Sequence, residues 1–187
     1  MKIGILGGTF DPPHFAHKEI AKRALDQFSL EKIIFIPAGN SWQKQNSATY
    51  ENRFIMTQLL ISDEELFEIS DIENNVNQPT YTVDTLKKLN LKKEETFFIL
   101  GADAAIGIST WESYEKLSNY VQFLIAPRKK ISEKNLKNNF PFNYSLILGN
   151  ELDISSTTVR RLLLEKKEIS SLIPKNIIEF ITSQSLY

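Results

Sequence analysis

The fold is decided near the start of the chain, in the stretch Lys2-Ile3-Gly4-Ile5-Leu6-Gly7-Gly8-Thr9-Phe10-Asp11-Pro12-Pro13-His14-Phe15-Ala16-His17. The apolar run Lys2–Leu6 has the length and composition of a buried strand. The two glycines after it let the backbone approach a ligand closely. The two prolines stiffen the turn and favour a helix that starts just after them. The stretch therefore predicts a strand, a tight loop and a helix.

The rest of the chain alternates short apolar runs with longer segments of helical periodicity. The predicted strands are Lys2–Leu6, Lys32–Ile36, Phe67–Asp71, Thr96–Leu100, Val121–Ala126 and Tyr144–Leu148. The predicted helices are His14–Phe28, Tyr50–Ile61, Thr82–Leu89, Trp111–Ser118, Ser156–Glu165 and Lys175–Gln184. This alternation predicts a Rossmann-like, doubly wound α/β fold, with a mostly parallel sheet and helices on both faces.

Length and composition narrow the class of protein. The chain has 187 residues, which fits one domain spanning residues 1–187. It has no cysteine, which excludes disulfides, thiolate catalysis and cysteine-bound metals. A net charge of -1 gives no sign of a nucleic-acid or membrane surface. Glycine interrupts the first apolar run too early for a signal peptide, so we expect a cytoplasmic protein.

The loop after the first strand is the first candidate site, because ligands of such folds bind at the carboxyl ends of the strands. His14 and His17 lie three residues apart, on one face of the first helical turn. A helix N-terminus offers N–H groups and partial positive charge, and neighbouring imidazoles could add hydrogen bonds to phosphate. Incidental helix residues or a metal pair remain alternatives, although no third metal ligand is apparent.

Other phosphate-binding and nucleophile motifs are missing from the sequence. It contains no G-x-x-x-x-G-K-[ST] loop, no G-x-G-x-x-G fingerprint and no G-x-S-x-G elbow. Near the other end, Ile154-Ser155-Ser156-Thr157-Thr158-Val159-Arg160 precedes a helical run. Its Ser/Thr cluster predicts a capped helix N-terminus that can bind phosphate, with Arg160 one turn inside. An ordinary helix cap with a surface arginine is the alternative.

The two segments together resemble a known superfamily. Gly8-Thr9-Phe10-Asp11-Pro12 followed by His14-x-x-His17 resembles the signature of the HxGH nucleotidyltransferases, with Ala16 where that pattern has glycine. The segment Ile154–Arg160 resembles their ISSTxxR motif. The resemblance implies that His14 and His17 are catalytic and that residues 156–187 complete the ATP site. It implies ATP contacts by Gly8, Thr9, Phe10, His17, Gly101, Asp103, Ile154, Ser156, Thr157 and Arg160.

Families of this superfamily differ in their acceptor, which is phosphopantetheine, a nicotinamide or nicotinate mononucleotide, or glycerol phosphate. Three segments resemble the bacterial nicotinate-nucleotide adenylyltransferases: Pro37–Lys44, Thr80–Leu86, and Gly101-Ala102-Asp103 followed by Trp111. The resemblance implies acceptor contacts by Lys44, Thr82, Trp111 and Arg128.

The sequence also departs from the usual pattern of that family at three places. Val76 and Gln78 stand where the family usually has Arg and Gly, and Lys129-Lys130 replaces Pro-Gly after the arginine.

The resemblance implies adenylyl transfer from ATP to nicotinate mononucleotide, which yields deamido-NAD and pyrophosphate in NAD biosynthesis. Mg²⁺ is the expected cofactor, held mainly by phosphates and water and not by protein ligands. ATP and the mononucleotide are the expected partners, and the sequence does not give the oligomeric state. Two rival functions stay open: adenylyl transfer to nicotinamide mononucleotide or phosphopantetheine, and a non-catalytic nucleotide sensor.

Overall fold

The computed structural model describes residues 1–40, 47–75, 78–128 and 131–187. Its centre is a six-stranded sheet in the order β3-β2-β1-β4-β5-β6. Every neighbouring pair of strands in it is parallel. The strands are β1 (Ile3–Gly8), β2 (Lys32–Pro37), β3 (Phe67–Ile69), β4 (Thr96–Gly101), β5 (Gln122–Ala126) and β6 (Tyr144–Leu146). The order reverses between β1 and β4, which makes their carboxyl ends the topological switch point.

Helices cover both faces of the sheet. They are α1 (Phe15–Phe28), α2 (Tyr50–Ile61), α3 (Thr82–Leu89), α4 (Ala102–Ile106), α5 (Glu133–Asn139), α6 (Ser156–Leu164) and α7 (Lys175–Ser183). Side chains alternate across β2, so that Ile33 and Phe35 pack into one core and Ile34 and Ile36 into the other. Because both faces are buried, the strands are nearly continuous apolar runs, as is typical of parallel sheets.

The predicted fold class is confirmed, and all six predicted strands and five of the six predicted helices are present. The predicted helix Trp111–Ser118 is wrong. Trp111 lies in a connection, and the segment Tyr114–Asn119 is a 3₁₀ helix. Ser113 has a φ of 50°, in the left-handed region, which interrupts a regular α-helix there. Two short helices, α4 of five residues and α5 of seven, were not predicted.

In the ranges that the structure describes, no helix is long and apolar enough to cross a membrane.

Candidate active site

The loops that follow β1 and β2 meet at the carboxyl edge of the sheet. The backbone N–H of Ala38 donates to the carbonyl of Gly8 at 2.8 Å, which continues the β1–β2 pairing beyond the strands. Asn40 pairs with Pro79 in an isolated bridge, and Thr80 donates its N–H to the Asn40 carbonyl at 3.2 Å. The first motif and two of the three predicted acceptor segments are therefore neighbours.

The two histidines lie at the start of α1 and contact each other. His14 is the N-cap of α1, and its backbone N–H donates to Nδ1 of His17 at 3.2 Å. The imidazole rings are stacked, with centroids 3.7 Å apart and an angle of 25° between their planes. Phe10 packs edge-on against the His17 ring at 4.9 Å. Because Nδ1 of His17 accepts a hydrogen bond, the proton of a neutral His17 belongs on Nε2, which makes that atom a donor.

His14 is held neutral by its surroundings. Its side chain is only 2% exposed, and its Nδ1 is buried without a hydrogen-bond partner in the part of the chain that the structure describes. Burial lowers the pKa of His14 to about 3, and the positive charge of Arg128 acts in the same direction. A neutral His14 avoids charge repulsion within the stacked pair.

The second motif docks directly onto the first. The hydroxyl of Ser156 donates to the Pro12 carbonyl at 2.9 Å across 144 positions, and Arg160 donates to the Asp11 carbonyl at 2.6 Å across 149 positions. Ser155 caps α6 by accepting the N–H of Thr158 at 3.1 Å. The N-terminus of α6 therefore lies beside the histidine loop, so the two motifs that are predicted to bind phosphate are neighbours.

The carboxyl ends of β4 and β5 supply the next group of predicted residues. Gly101 ends β4, and Asp103 lies in the first turn of α4. Nε of Arg128, just after β5, is 3.7 Å from Oδ1 of Asp103. The same guanidinium donates through one nitrogen to the carbonyls of Leu152 at 2.9 Å and Ile154 at 3.3 Å. Arg128 thus lies among residues predicted to bind ATP, and its predicted contact with the acceptor stays a prediction.

On the acceptor side, Thr82 is the first residue of α3 and is partly exposed. Glu73 supports this region, because its carboxylate accepts the hydroxyl of Thr85 at 2.6 Å and the N–H of Gly39 at 3.3 Å. Trp111 packs edge-on against Phe98, with ring centroids 6.4 Å apart, and stays partly exposed.

The remaining positions that the sequence singled out take no part in the contacts described above. Lys44 and Val76 lie outside the described residues, and Gln78 is exposed. Ala16 is fully buried within an uninterrupted α1, so its methyl group is accommodated at the position where the family pattern has glycine.

Three residues that support the site had no role predicted from the sequence: Asp11, Arg53 and Tyr187. Asp11 is buried, and its carboxylate accepts the N–H groups of Ser47 and Ala48 and the hydroxyl of Tyr187. Arg53 is buried in α2 and donates to two loop carbonyls. A signal for Arg53 was available, because an arginine stands at a core position of the helical period that includes Tyr50, Met56 and Leu60.

Protein ligands for a metal are not gathered in the described ranges, where no group of three or more His, Asp or Glu side chains converges. The carboxylate oxygens of Asp11, the buried acid in the histidine loop, already accept three hydrogen bonds.

Comparisons with known proteins agree with this geometry. The family model described as cytidylyltransferase-like matches residues 5–162. A protein from Corynebacterium kroppenstedtii named "Probable nicotinate-nucleotide adenylyltransferase" is 33% identical, with 100% of this chain and 90% of the relative covered. A protein of the same name from Clostridium botulinum strain Okra is 37% identical, with 98% and 97% covered.

A solved structure has the same fold along its whole length. The nicotinic acid mononucleotide adenylyltransferase of Plasmodium falciparum, solved in complex with NaAD, is 27% identical with a TM-score of 0.83. The match covers 100% of this chain and 97% of the other. With the two motifs in contact and relatives above 30% identity over the full chain, this protein belongs to the nicotinate-nucleotide adenylyltransferases of the cytidylyltransferase-like family.

Proposed function

We propose that this chain transfers the adenylyl group of ATP to nicotinate mononucleotide and releases deamido-NAD and pyrophosphate. The observation that carries the proposal is the docking of α6 on the histidine loop through Ser156 and Arg160. It joins two helix N-termini, a stacked imidazole pair and a guanidinium at the switch point of the sheet. The names of the full-length relatives support the same reaction. The cytoplasm, which the cysteine-free sequence favours, is the compartment we propose for it.

The ATP half of the site is assigned to the two motifs and to the end of β4. Backbone N–H groups of the loop after Gly8 and of the first turn of α6 suit the phosphates. One nitrogen of Arg160 donates to the Asp11 carbonyl. Because a guanidinium has five N–H donors, others remain for a phosphate. Asp103, in the first turn of α4 just after β4, can accept hydrogen bonds from both ribose hydroxyls. Gly8, Thr9, Phe10, Gly101, Ile154, Ser156 and Thr157 complete the proposed ATP site.

The reaction we propose is a direct in-line displacement. A phosphate oxygen of the mononucleotide attacks the α-phosphorus of ATP and forms the new P–O bond. The bond from the α-phosphorus to its bridging oxygen breaks, and pyrophosphate carries away the electron pair. The attacking phosphate is already an anion, so no covalent enzyme intermediate is needed. Catalysis then depends on alignment and on donors such as Nε2–H of His17 that stabilise negative charge.

The acceptor half is assigned to the loop after β2, the start of α3 and Trp111. An indole can stack on the flat nicotinate ring, and N–H groups at the start of α3 suit its carboxylate. Lys44 and Arg128 are proposed partners of the acceptor phosphate.

Mg²⁺ enters this scheme with the ATP substrate. The residues fit such a role, because the hydrogen-bonded Asp11 leaves the phosphates and water as the main ligands. Held by the phosphates, Mg²⁺ would supply positive charge that makes pyrophosphate a better leaving group. The protein residues orient the phosphates and exclude bulk water around them.

The experiment that tests the proposal measures pyrophosphate release with ATP and Mg²⁺. Nicotinate mononucleotide, nicotinamide mononucleotide and phosphopantetheine are compared as acceptors at equal concentration. We expect the highest kcat/KM with the nicotinate compound. Preference for another acceptor would preserve the ATP half and refute the assignment of the acceptor residues. ATP binding with no release from any acceptor would refute the reaction and favour a nucleotide sensor.

A further inference from the structure

Arg53 is a buried cation that the proposed chemistry does not use. Its side chain is 1% exposed, and it is the fourth residue of α2, at the end of the first turn. A buried guanidinium is costly unless its donors are satisfied. In the described part of the chain, its Nε has no hydrogen-bond partner and no carboxylate forms an ion pair with it. Its partners are instead two backbone carbonyls, and the ring of Tyr50 lies 5.7 Å from its charged carbon. Burial lowers the pKa of Arg53, and the negative charge of the nearby Asp11 acts against that shift.

The two carbonyls belong to different loops of the site. One terminal nitrogen of Arg53 donates to the Thr9 carbonyl at 2.7 Å, in the loop after β1. The other donates to the Gly39 carbonyl at 3.0 Å, in the loop after β2. Because a guanidinium is planar and rigid, the two hydrogen bonds fix the spacing between these carbonyls.

Gly39 is held from its other side as well. Its N–H donates to the Glu73 carboxylate at 3.3 Å. A Cβ on Gly39 would collide with the Glu73 carbonyl oxygen, so the loop fits tightly against the segment before α3. The Thr9 loop is likewise fixed through Asp11 and Pro12. Arg53 is therefore a second link between the two loops, one residue beyond the hydrogen bond from Ala38 to Gly8.

We infer that Arg53 is a positioning residue, which helps to set the distance between ATP and the acceptor, beyond the end of the β1–β2 pairing, without touching either. The inference rests on the proposed function, in which the first loop contacts ATP and the second contacts the mononucleotide. In-line attack requires the reacting atoms within about 3–3.5 Å, and a displacement of about 1 Å can cost about 100-fold in rate. Loss of the link should lower kcat while each loop keeps its affinity for its own substrate.

The test compares Arg53→Lys and Arg53→Met with the parent protein. An ammonium group keeps the charge but cannot reproduce the rigid two-pronged contact, and the thioether removes both hydrogen bonds. We expect kcat to fall about 10–100-fold in both variants. Dissociation constants are measured separately for nicotinate mononucleotide and for a non-hydrolysable ATP analogue. Each should change by less than about 3-fold, since either loop alone is still anchored.

Met56→Ala is the matched control. Met56 is fully buried in the same helix, so the variant loses stability through a cavity without touching the two carbonyls. Its Tm should fall while kcat stays within about 2-fold of the parent value.

Four results would overturn the inference. They are an unchanged kcat in Arg53→Lys, dissociation constants that rise in parallel with the loss of kcat, an equal loss of kcat in Met56→Ala, and failure of both Arg53 variants to fold. The last result would make Arg53 a residue needed for folding and not for alignment. If instead the parent protein does not turn over nicotinate mononucleotide, it is the proposed function that fails.

Discussion

The hydroxyl of Tyr187 donates a 2.6 Å hydrogen bond to Oδ1 of Asp11, a carboxylate 176 positions earlier in the chain. The same carboxylate accepts backbone N–H groups from Ser47 at 2.7 Å and Ala48 at 3.2 Å. The peptide carbonyl of Asp11 accepts Arg160. Asp11 is thus the point where the histidine loop, the segment before α2, the motif of α6 and the residue Tyr187 are joined.

Tyr187→Phe should destabilise the protein, because it removes a donor from a buried carboxylate. We expect a loss of about 2 kcal/mol, or a Tm lower by about 4–8 °C. Tyr120→Phe is the matched control, since no hydrogen bond of its hydroxyl is found in the described residues. Thermal unfolding at pH 7 measures both variants. Equal Tm values for Tyr187→Phe and the parent would show that the hydrogen bond contributes no stability.

Alkaline pH should weaken the same contact. Burial raises the pKa of Tyr187 and the hydrogen bond to Asp11 raises it further, so the folded state keeps the phenol protonated. Its contribution is fully present below the unfolded pKa of about 10 and is lost as the pH rises above that value. The difference in Tm between the parent and Tyr187→Phe should therefore shrink above about pH 10. A difference that stays constant to about pH 11 would contradict this linkage.

Acid should destabilise the protein through His14. Its folded pKa of about 3 lies below the value of 6.5 for an ordinary histidine, so the unfolded state binds the proton first. Stability is unaffected above about pH 6.5 and falls as the pH drops from there toward about 3. The slope from this residue approaches about 1.4 kcal/mol per pH unit.

His14→Asn is the comparison for this loss of stability at acid pH, because an amide does not titrate. Urea unfolding at several pH values between 4 and 7 should give a shallower loss of stability for the variant than for the parent. Parallel curves for the two proteins would mean that His14 is protonated equally in the folded and unfolded states. The two proteins have all other titratable groups in common. The difference between their slopes of unfolding free energy against pH therefore comes from this one side chain.

His17→Ala should lower kcat by about 10²–10³, the usual effect of removing one preorganised donor to a developing negative charge. The hydrogen bond from His14 N–H to Nδ1 leaves Nε2–H as the donor. His17→Gln offers an amide N–H₂ group, and we expect it to retain part of the lost rate. Steady-state kinetics with saturating ATP measure both variants. A kcat within a few-fold of the parent for His17→Ala would refute this role.

The parts of the fold that the sequence predicted correctly are those with a local signal. Each strand is a short apolar run, and most helices carry an apolar stripe of the right period. The prediction of a helix at Trp111–Ser118 was wrong because Ser113 takes a left-handed conformation. A serine in the sequence does not indicate that conformation. The spacing of His14 and His17 indicated a shared face, and the rings are in fact stacked.

The supporting contacts could not be predicted, for two physical reasons. They join residues far apart in sequence, such as Asp11 with Tyr187 and Arg53 with Thr9. Several of their acceptors are also backbone carbonyls, which every residue has, so no residue type at Thr9 or Gly39 marks the partner of an arginine. Resemblance to family motifs pointed to residues such as Asp11, Ser156 and Arg160, but it did not show which contacts join them across the chain.

Gly101→Ala should disturb ATP binding through Asp103. A Cβ on Gly101 would lie 2.6 Å from Oδ1 of Asp103, closer than a carbon and an oxygen can approach. The obstructed atom is the end of a side chain, so the protein can still fold while the carboxylate turns away from its place. If that carboxylate accepts the ribose hydroxyls, KM for ATP should rise about 10-fold or more, since a bond to a charged group is lost.

Gly107→Ala is the matched control at the other end of α4. Its Cβ would meet the Ala104 carbonyl at 3.7 Å, an ordinary van der Waals distance, so its KM should equal that of the parent. Asp103→Asn should share the defect of Gly101→Ala, because both variants alter the same carboxylate. If Asp103→Asn raises KM for ATP and Gly101→Ala does not, the carboxylate has kept its place beside the new methyl group. If neither variant changes KM, Asp103 makes no contact with the ribose, since the two substitutions reach that contact by independent routes.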